Sequence, residues 1–394
     1  MLTHADHGAT SPYRVLVAGG GVAGLETVLA LRELAGDRVA VTLLAPQPEF
    51  VYRPLTVREP FAYGTADRHD LAEIAADLGV ELVVDQLTWI DPDAHVAHSA
   101  DGRELPYDAL MIAVGARPVD PHPLATTIDP SRLDAQLHGL VQDVEGGYVR
   151  RLAFVIPAGL TWPLPLYELA LMTAQRAYDA QAHLDITIVT PDEAPLAVFG
   201  QGAGAGLLAL LDEAGIDVVR AASVDVPSAG EVVVAPGRRH LHVDRVITQP
   251  VLHGPSVRGV PGGRHNLIPI DPYCRVRGLT DVYAAGDATD YAVKQGGVSA
   301  QQAVTAARCI AAAAGAPVTP QTLRPSIHGM LLTGGRPRYL SARVGGDHGY
   351  ISEISDTPSW SPPVKIVAEH LGPYLEQRAL APAPAGPASA GSTA

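Results

Sequence analysis

Cysteine is scarce in this sequence. The 394 residues include two, Cys274 and Cys309, and neither belongs to a C-x-x-C pair. Two cysteines cannot form a disulfide framework for a chain of this length. Cys309 lies in an alanine-rich helical stretch, where a buried structural cysteine is the usual finding. We therefore predict that neither cysteine is redox-active, and we predict no metal site.

The sequence also lacks basic runs and long apolar segments. It has 28 Lys and Arg residues against 42 Asp and Glu residues, a net charge of −14. This balance disfavours nucleic acid as a partner, because nucleic-acid binding usually requires a basic surface. No stretch approaches the roughly 18 apolar residues of a membrane span, and the N-terminus has no apolar signal-peptide core. We expect a cytoplasmic location, and the sequence specifies no oligomeric state.

The composition is that of a multidomain globular chain. A hydrophobic content of 47% with 18% charged residues is ordinary, and the length exceeds what one hydrophobic core supports, so we expect two or three domains. Residues 379–394 are mostly Ala, Pro, Gly and Ser with nothing to bury, and are predicted to be disordered. Residues 1–12 are predicted to be flexible.

A βαβ pattern begins at Tyr13. The apolar run YRVLVA, the turn GGGVAG, the helical pattern LETVLALREL and the run VAVTLLA follow one another. Gly19, Gly21 and Gly24 fit G-x-G-x-x-G directly between a strand and a helix, the context that makes this pattern a credible dinucleotide site. In this pattern the three glycines permit, in order, a tight turn, close approach of a pyrophosphate and close helix packing. The alternative is a glycine-rich turn without a ligand.

One part of this fingerprint is missing. The second strand ends at Ala45, where an acidic residue normally binds the adenosine ribose. Backbone groups or Gln47 would have to replace that contact.

The alternation of strands and helices then repeats. ELVVDQLTWI and ALMIAV are predicted strands, and residues 151–251 contain LAFVIP, LPLYELALMTAQRA, DITIVT and LLALLDEAG, with GQGAGAG predicted as a loop. This order predicts an α/β fold of two Rossmann-like dinucleotide-binding domains and a small C-terminal module. The first domain comprises 13–120 and 252–314, the second, 121–251, is inserted in it, and the module covers 315–378.

Five segments together resemble one group of the FAD-dependent pyridine nucleotide-disulfide oxidoreductases, that of the sulfide:quinone oxidoreductases, flavocytochrome c sulfide dehydrogenases and type II NADH dehydrogenases. The segments are VLVAGGGVAGLE, EFVYRPLTVREPF, AVGARP, DVYAAGDAT and KQGGVSAQQA. They stand in the family's order and at its approximate spacing, and the resemblance extends from about Tyr13 to Tyr374. It is specific for FAD binding rather than for any one substrate.

The resemblance implies a set of cofactor contacts. Gly19, Gly21 and Gly24 would hold the FAD pyrophosphate, and the segment Gly286-Asp287 would meet the ribityl chain, since a carboxylate accepts hydrogen bonds from hydroxyl groups. A helix N-cap is the alternative role for Asp287. The remaining implied contacts are Leu87 near the adenine, Gly115 along the cofactor, and Arg53 and Pro54 beside the flavin ring.

Several side chains near these segments have alternative roles. Arg53 is either a flavin neighbour or a surface residue in an X-Pro turn. A helix beginning near Val298, with Gln295 and Ser299 beside it, would direct its N–H groups at the flavin pyrimidine. For Lys294 we expect a solvated side chain. A glutamate in the helix start at Tyr167-Glu168 is a family feature, and here we expect it to charge the first turn rather than to shuttle protons.

The resembling enzymes that oxidise sulfide use paired cysteines, and this chain shows no such pair. In the second domain LAFVIP leads into AGLTWPLP instead of a glycine turn, and the prolines there lack amide donors, so an NAD(P)H site is doubtful. We predict an FAD-dependent oxidoreductase that passes electrons from a small-molecule donor to a quinone or another small acceptor, without redox cysteines.

Two alternatives stay open. One is an NAD(P)H dehydrogenase with an atypical nucleotide site, and the other is a flavin-binding or interaction protein without turnover. The C-terminal segment SWSPPVKIVAEHLGPYL either touches the inner face of a membrane peripherally or packs on the protein's own core. The acidic net charge favours the second of these.

Overall fold

The computed structural model describes residues 11–159, 162–344 and 350–380. The predicted flexible N-terminus and disordered tail lie largely outside these residues. The first two positions of the predicted tail, 379 and 380, instead complete the last helix. Two five-stranded parallel sheets dominate the architecture, as the prediction of two Rossmann-like domains required.

The first sheet has the strand order β20-β9-β1-β2-β5, and all of its neighbouring strands are parallel. The elements of the N-terminal part are β1 (Tyr13–Ala18), α1 (Val22–Leu34), β2 (Val39–Leu44), β3 (Glu49–Val51), β4 (Arg68–Asp70), α2 (Leu71–Leu78), β5 (Glu81–Val83), β6 (Leu87–Asp91), β7 (Val96–Ser99), β8 (Glu104–Pro106) and β9 (Ala109–Ile112). Strand β20 (Val282–Ala284) comes from much later in the chain. The segment Arg53–Phe61 is 3-10 helical.

The predicted strand ELVVDQLTWI is two strands in different sheets. β5 belongs to the first parallel sheet, whereas β6 belongs to an antiparallel sheet with β7 and β8. Asp85 lies between them, and its carboxylate accepts hydrogen bonds from the N–H groups of Gln86 and Asp101. These side-chain bonds turn the backbone out of the ladder.

The second sheet has the order β11-β18-β12-β13-β14. The elements of this part are β10 (Arg117–Val119), β11 (Thr126–Thr127), α3 (Leu133–Glu145), β12 (Arg151–Val155), α4 (Leu164–Asp179), β13 (Asp185–Val189), α5 (Gln201–Glu213), β14 (Ile216–Val219), β15 (Ser223–Ser228), β16 (Glu231–Ala235), β17 (Arg239–His242), β18 (Arg245–Thr248) and β19 (Val251–His253). β15, β16 and β17 form an antiparallel sheet. β10 and β19 pair where the chain leaves the first sheet and returns to it.

The chain ends with a long helix, a small sheet and a short helix. These elements are α6 (Gly296–Ala313), β21 (Ile327–Leu331), β22 (Arg338–Val344), β23 (Tyr350–Ser355) and α7 (Leu371–Leu380). The three strands are antiparallel, and α6 packs against α1.

The glycine-rich segment GQGAGAG is helical, and the predicted loop is therefore wrong. α5 begins at Gln201, inside this segment. A Cβ atom on Gly202 would overlap the carbonyl oxygen of Ser352, and one on Gly206 would overlap the side chain of Ile354. The glycines here allow α5 to approach β23 closely, a packing role that sequence spacing alone does not distinguish from a loop.

The C-terminal segment packs on the protein's own core. Ile366 and Leu371 are buried, and Tyr374 and Leu375 lie against the apolar cluster around the first sheet. Glu26 of α1 accepts hydrogen bonds from the N–H groups of residues 369, 370 and 371 at 2.9, 3.0 and 2.7 Å. Within the described ranges, no helix has the length and apolar character needed to cross a bilayer.

Candidate functional site

The glycine turn between β1 and α1 is closed on one side and open on the other. A Cβ atom on Gly24 would overlap the carbonyl oxygen of Gly19, so helix and turn are in direct contact. Gly19 itself has φ +119° and lies against the carbonyl of Ala113. Gly21, the N-cap of α1, is exposed and has no atom within 4 Å of its Cβ position. An anionic group can therefore reach the uncapped N-terminus of α1 through Gly21.

The segment Gly286-Asp287 lies beside this turn. Gly286 follows β20 with φ +79°, and its Cβ position is 3.5 Å from Ser299 Oγ and 3.6 Å from Ala23 Cβ. The structure thus brings the Gly-Asp segment, α1 and α6 together, although they are far apart in sequence.

Asp287 has a free carboxylate in this position. Its side chain caps no helix, and within the described part of the chain no group donates a hydrogen bond to it. Burial raises the pKa of Asp287, and the charges of Lys294 and Arg53 oppose that shift. A partly buried acceptor without a protein partner is suited to a hydroxyl-bearing ligand.

The two cations near Asp287 differ in burial. Lys294 is half-buried, and its ammonium group donates to the carbonyl of Thr289, so the expected solvated side chain is wrong. Burial lowers the pKa of Lys294, while Asp287 acts in the opposite direction. Arg53 is exposed at the first residue of the 3-10 segment. It is therefore a surface residue and also a charged neighbour of Asp287.

The start of α6 is held by its own side chains. The helix begins at Gly296, two residues before Val298 and close to the predicted start, and Gln295 is its N-cap. Gln295 Oε1 accepts the Val298 N–H at 2.9 Å, and Ser299 Oγ donates to the Gln295 carbonyl at 3.0 Å. The Val298 N–H, which we expected to face the flavin pyrimidine, is therefore already engaged.

Gly115, Leu87 and Pro54 have different environments. Gly115 has φ +75° with open space at its Cβ position. Leu87 is buried in β6 as part of the first core. The carbonyl of Pro54 accepts a hydrogen bond from Lys365 Nζ at 2.9 Å.

Lys365 belongs to a buried ion pair that the sequence did not predict. Its Nζ lies 2.6 Å from Glu168 Oε1, and the two side chains are 5% and 1% exposed. Glu168 also accepts the Leu332 N–H at 2.9 Å. Glu168 is thus fully buried in α4, and its expected role as a charge on the first turn is wrong.

Burial raises the pKa of Glu168 and lowers the pKa of Lys365, and each partner opposes the shift of the other. Both shifts reduce the difference between the two groups in proton affinity. A lysine isolated among prolines and apolar residues in SPPVKIV was the available sequence signal, because lysine is rarely buried without a partner.

Neither β2 nor β13 is followed directly by an acidic residue. Ala45 follows β2; it is buried and donates its N–H to Val83, while Gln47 is exposed. Thr190 occupies the equivalent position after β13; it is buried and donates its N–H to Val219. Asp192 stands two residues further on, at the position of Gln47; it is half-buried, and burial raises its pKa.

The helix start of the second domain has few amide donors. Pro163 is the N-cap of α4 and Pro165 lies in its first turn. The N–H of Leu166 is engaged by the Pro163 carbonyl at 3.0 Å. Residues 160 and 161 of the predicted AGLTWP turn lie outside the described residues.

Both cysteines are buried and free. The carbonyl of Cys274 accepts a hydrogen bond from the Ala284 N–H in β20 at 3.0 Å. Cys309 is in α6 ten residues after Ser299, about 15 Å further along the helix axis. Its Sγ lies 4.0 Å from the Tyr273 carbonyl, and burial raises the pKa of both thiols. Neither cysteine is therefore a thiolate beside the Gly-Asp segment.

Known proteins resemble the chain in sequence and in fold. Residues 13–308 match the family model for pyridine nucleotide-disulphide oxidoreductases. A sulfide-quinone reductase from Aquifex aeolicus (strain VF5) is 33% identical over 107 residues, or 26% of this chain and 24% of that protein. The chain thus matches about a quarter of that relative's length.

Solved structures share the fold. The sulfide:quinone oxidoreductase from the hyperthermophilic bacterium Aquifex aeolicus aligns with TM-score 0.77 and 20% identity over 87% of both chains. A ferredoxin reductase from Rhodopseudomonas palustris aligns with TM-score 0.64 and 19% identity over 84% of this chain and 83% of its own. Because the family model covers well over half of the chain, the protein belongs to the pyridine nucleotide-disulphide oxidoreductase family.

Proposed function

We propose that the protein binds FAD at the glycine turn and passes electrons from a small-molecule donor to a quinone or another small acceptor, without using its cysteines. The observation that carries this proposal is the pairing of an open Gly21 with the free carboxylate of Asp287, both at the N-terminus of α1. Phosphate and hydroxyl groups are the ligands these two features favour.

Different groups at this site would bind different parts of FAD. The N-terminus of α1 would attract the pyrophosphate, because its N–H groups and dipole are positive. Asp287 would accept hydrogen bonds from ribityl hydroxyls, and Gly115 leaves room for the cofactor. When bound, FAD supplies two-electron redox chemistry. The positive charges of Arg53 and Lys294 would favour added negative charge beside Asp287.

Reduction of a quinone also consumes protons. Glu168 and Lys365 hold an exchangeable proton in a buried pair beside Pro54. Burial moves the pKa values of Glu168 and Lys365 toward each other, which favours movement of a proton between them. We propose that this pair supplies the proton that accompanies electron transfer to the acceptor.

The cysteines bear on the identity of the electron donor. Sulfide oxidation requires reactive thiols that take up sulfur, whereas Cys274 and Cys309 are both buried and burial raises the pKa of each thiol. We therefore propose a donor other than sulfide.

Anaerobic stopped-flow absorbance tests this proposal. The purified protein should be yellow, sulfide should bleach it slowly, and decylubiquinone should rapidly restore the colour of protein reduced by dithionite. Rapid reduction by sulfide would contradict the cysteine argument. A colourless protein that does not take up added FAD would contradict the whole proposal.

A second candidate is an NAD(P)H dehydrogenase, and Asp192 is the observation that favours it. This half-buried carboxylate lies three residues after the end of β13, at the carboxyl edge of the second sheet, where a dinucleotide would bind. Saturable reduction of quinone by NADH, lost in Asp192→Asn and kept in the exposed control Asp217→Asn, would establish this activity. The first candidate predicts no saturable NADH dependence in either variant or in the wild type.

A further inference from the structure

Gln302 is a buried polar residue in α6. The oxygen of its side-chain amide forms a hydrogen bond, and the nitrogen forms none among the described residues. Its side chain is 1% exposed. Oε1 accepts a hydrogen bond from the Gly286 N–H at 2.7 Å. Within the described residues, no group accepts a hydrogen bond from Nε2, which is also buried.

The orientation of this amide follows from its neighbour. The Gly286 N–H is a donor, so the oxygen of Gln302 must face it. The free Nε2 then carries a desolvation cost that a methionine of similar size would avoid. A role for the oxygen, rather than packing, therefore explains an amide at this position.

The bond to Gln302 is one of several that hold the Gly286 turn. The Gly286 carbonyl accepts hydrogen bonds from Thr289 Oγ1 at 2.9 Å and from the Thr289 N–H at 3.1 Å. Gly286 itself has φ +79°, which disfavours other residues. Both peptide groups of Gly286 are thus fixed immediately before Asp287.

We infer that Gln302 is a positioning residue that fixes the Gly286 peptide and thereby aims the Asp287 carboxylate at the cofactor. The inference rests on the proposed FAD site. Without the Gln302 oxygen, the buried Gly286 N–H has no acceptor, and the turn must rotate to find one. Asp287 then moves with the turn.

Two substitutions separate this role from packing. Gln302→Met keeps the volume and removes the acceptor, and it should weaken FAD binding to the deflavinated protein by about tenfold. Gln302→Glu keeps an acceptor, and FAD affinity at low pH should stay within about threefold of the wild type. As the pH rises and this glutamate ionises, its negative charge should lower the flavin reduction potential relative to the wild type.

Thr305→Val is the matched control. Thr305 lies one turn further along α6, and its hydroxyl donates to the Gln301 carbonyl within the helix. This variant should match the wild type in FAD affinity and in the pH dependence of the potential. FAD affinity is measured by fluorescence titration, the potential by equilibration with a reference dye, and folding by circular dichroism.

The outcomes of this experiment are distinct. If wild-type protein binds FAD and both Gln302 variants match it in affinity and potential, the positioning role is refuted and the proposed function stands. If Gln302→Met does not fold, the pH dependence of the potential in Gln302→Glu decides alone. If the wild type binds no FAD, the proposed function fails first, and the inference fails with it.

Discussion

The two parallel sheets have the same size but carry different polar and flexible residues at the carboxyl ends of their strands. The first has the glycine turn at Gly19–Gly24 but Ala45 at the end of its second strand. The second has Asp192 after β13 but Pro163 and Pro165 at the start of α4. The shared topology therefore specifies where a ligand would lie, and a few residues at the carboxyl ends of the strands specify what is bound.

A glycine turn and an acidic residue do not contribute equally to the binding of a dinucleotide. A pyrophosphate carries charge that must be met by several amide donors, whereas the acidic residue adds hydrogen bonds to one sugar. The first domain can therefore bind a dinucleotide without its acid. The second sheet has Asp192 nearby, but the N-terminus of α4 offers few free amide donors.

The largest expected effect concerns the ion pair between Lys365 of the C-terminal segment and Glu168 of α4. Lys365→Met leaves Glu168 buried without its partner, and the free energy of unfolding should fall by about 3–5 kcal/mol. The double variant Glu168→Gln/Lys365→Met should recover most of this loss, because it leaves no unpaired charge. Urea denaturation measures both. Equal losses in the single and double variants would show that packing, not charge, stabilises this contact.

The next substitution should weaken ligand binding at the glycine turn without affecting the second sheet. Gly21→Val places a side chain in open space at a residue with φ −86°, so the apoprotein should fold normally. The side chain occupies the approach of the pyrophosphate, and FAD affinity should fall by about a hundredfold or more, equivalent to about 3 kcal/mol. Gly139→Ala, also in open space but on α3, is the control. Wild-type FAD affinity in Gly21→Val would place the cofactor elsewhere.

Asp192→Asn probes the second domain through pH. Burial raises the pKa of folded Asp192, so ionisation destabilises the fold as the pH rises from the unfolded pKa through the folded pKa. The variant should be more stable than the wild type at pH 7, by less than about 1 kcal/mol because the group is half-exposed. The difference should vanish at a pH below the unfolded pKa. Thermal unfolding at pH 3 and pH 7 measures it, and a difference independent of pH would exclude the carboxylate as its cause.

The smallest effect is expected from the cysteines. Cys309→Ala should leave the rates of flavin reduction and reoxidation unchanged, because this thiol is buried far along α6 from Ser299. Loss of a buried thiol should lower stability by about 1 kcal/mol. A severalfold change in either rate, measured by stopped flow, would assign this cysteine a redox role.

Sequence periodicity predicted β1, α1, β2 and β9 of the first sheet and β12, α4 and β13 of the second, since buried apolar runs and glycine turns are local signals. It did not predict the short strands β11, β14 and β18. It failed where tertiary packing decides the outcome. In sequence, Gly202 and Gly206 are typical of a loop, and their packing against β23 is seen only in the structure. Glu168 and Lys365 are 197 residues apart, so no local pattern indicated that they pair.

In the candidate site, too, local sequence predicted some features and tertiary packing decided others. Gly19, Gly21 and Gly24 are adjacent in the chain, and their local context predicted the turn that the structure contains. By contrast, the engagement of the Val298 N–H by Gln295 and the burial of Lys294 depend on neighbouring side chains and on surrounding packing. Spacing alone could not specify those contacts.

The chain order of the first sheet has a consequence for biosynthesis. Its edge strand β20, the helix α6 and the N–H groups that engage Glu26 all follow the second domain in sequence. Because a ribosome makes the chain from its N-terminus, the second domain can close while the first is still missing these parts. Under the proposed function, the FAD site would therefore be completed only after β20 and α6 have been synthesised.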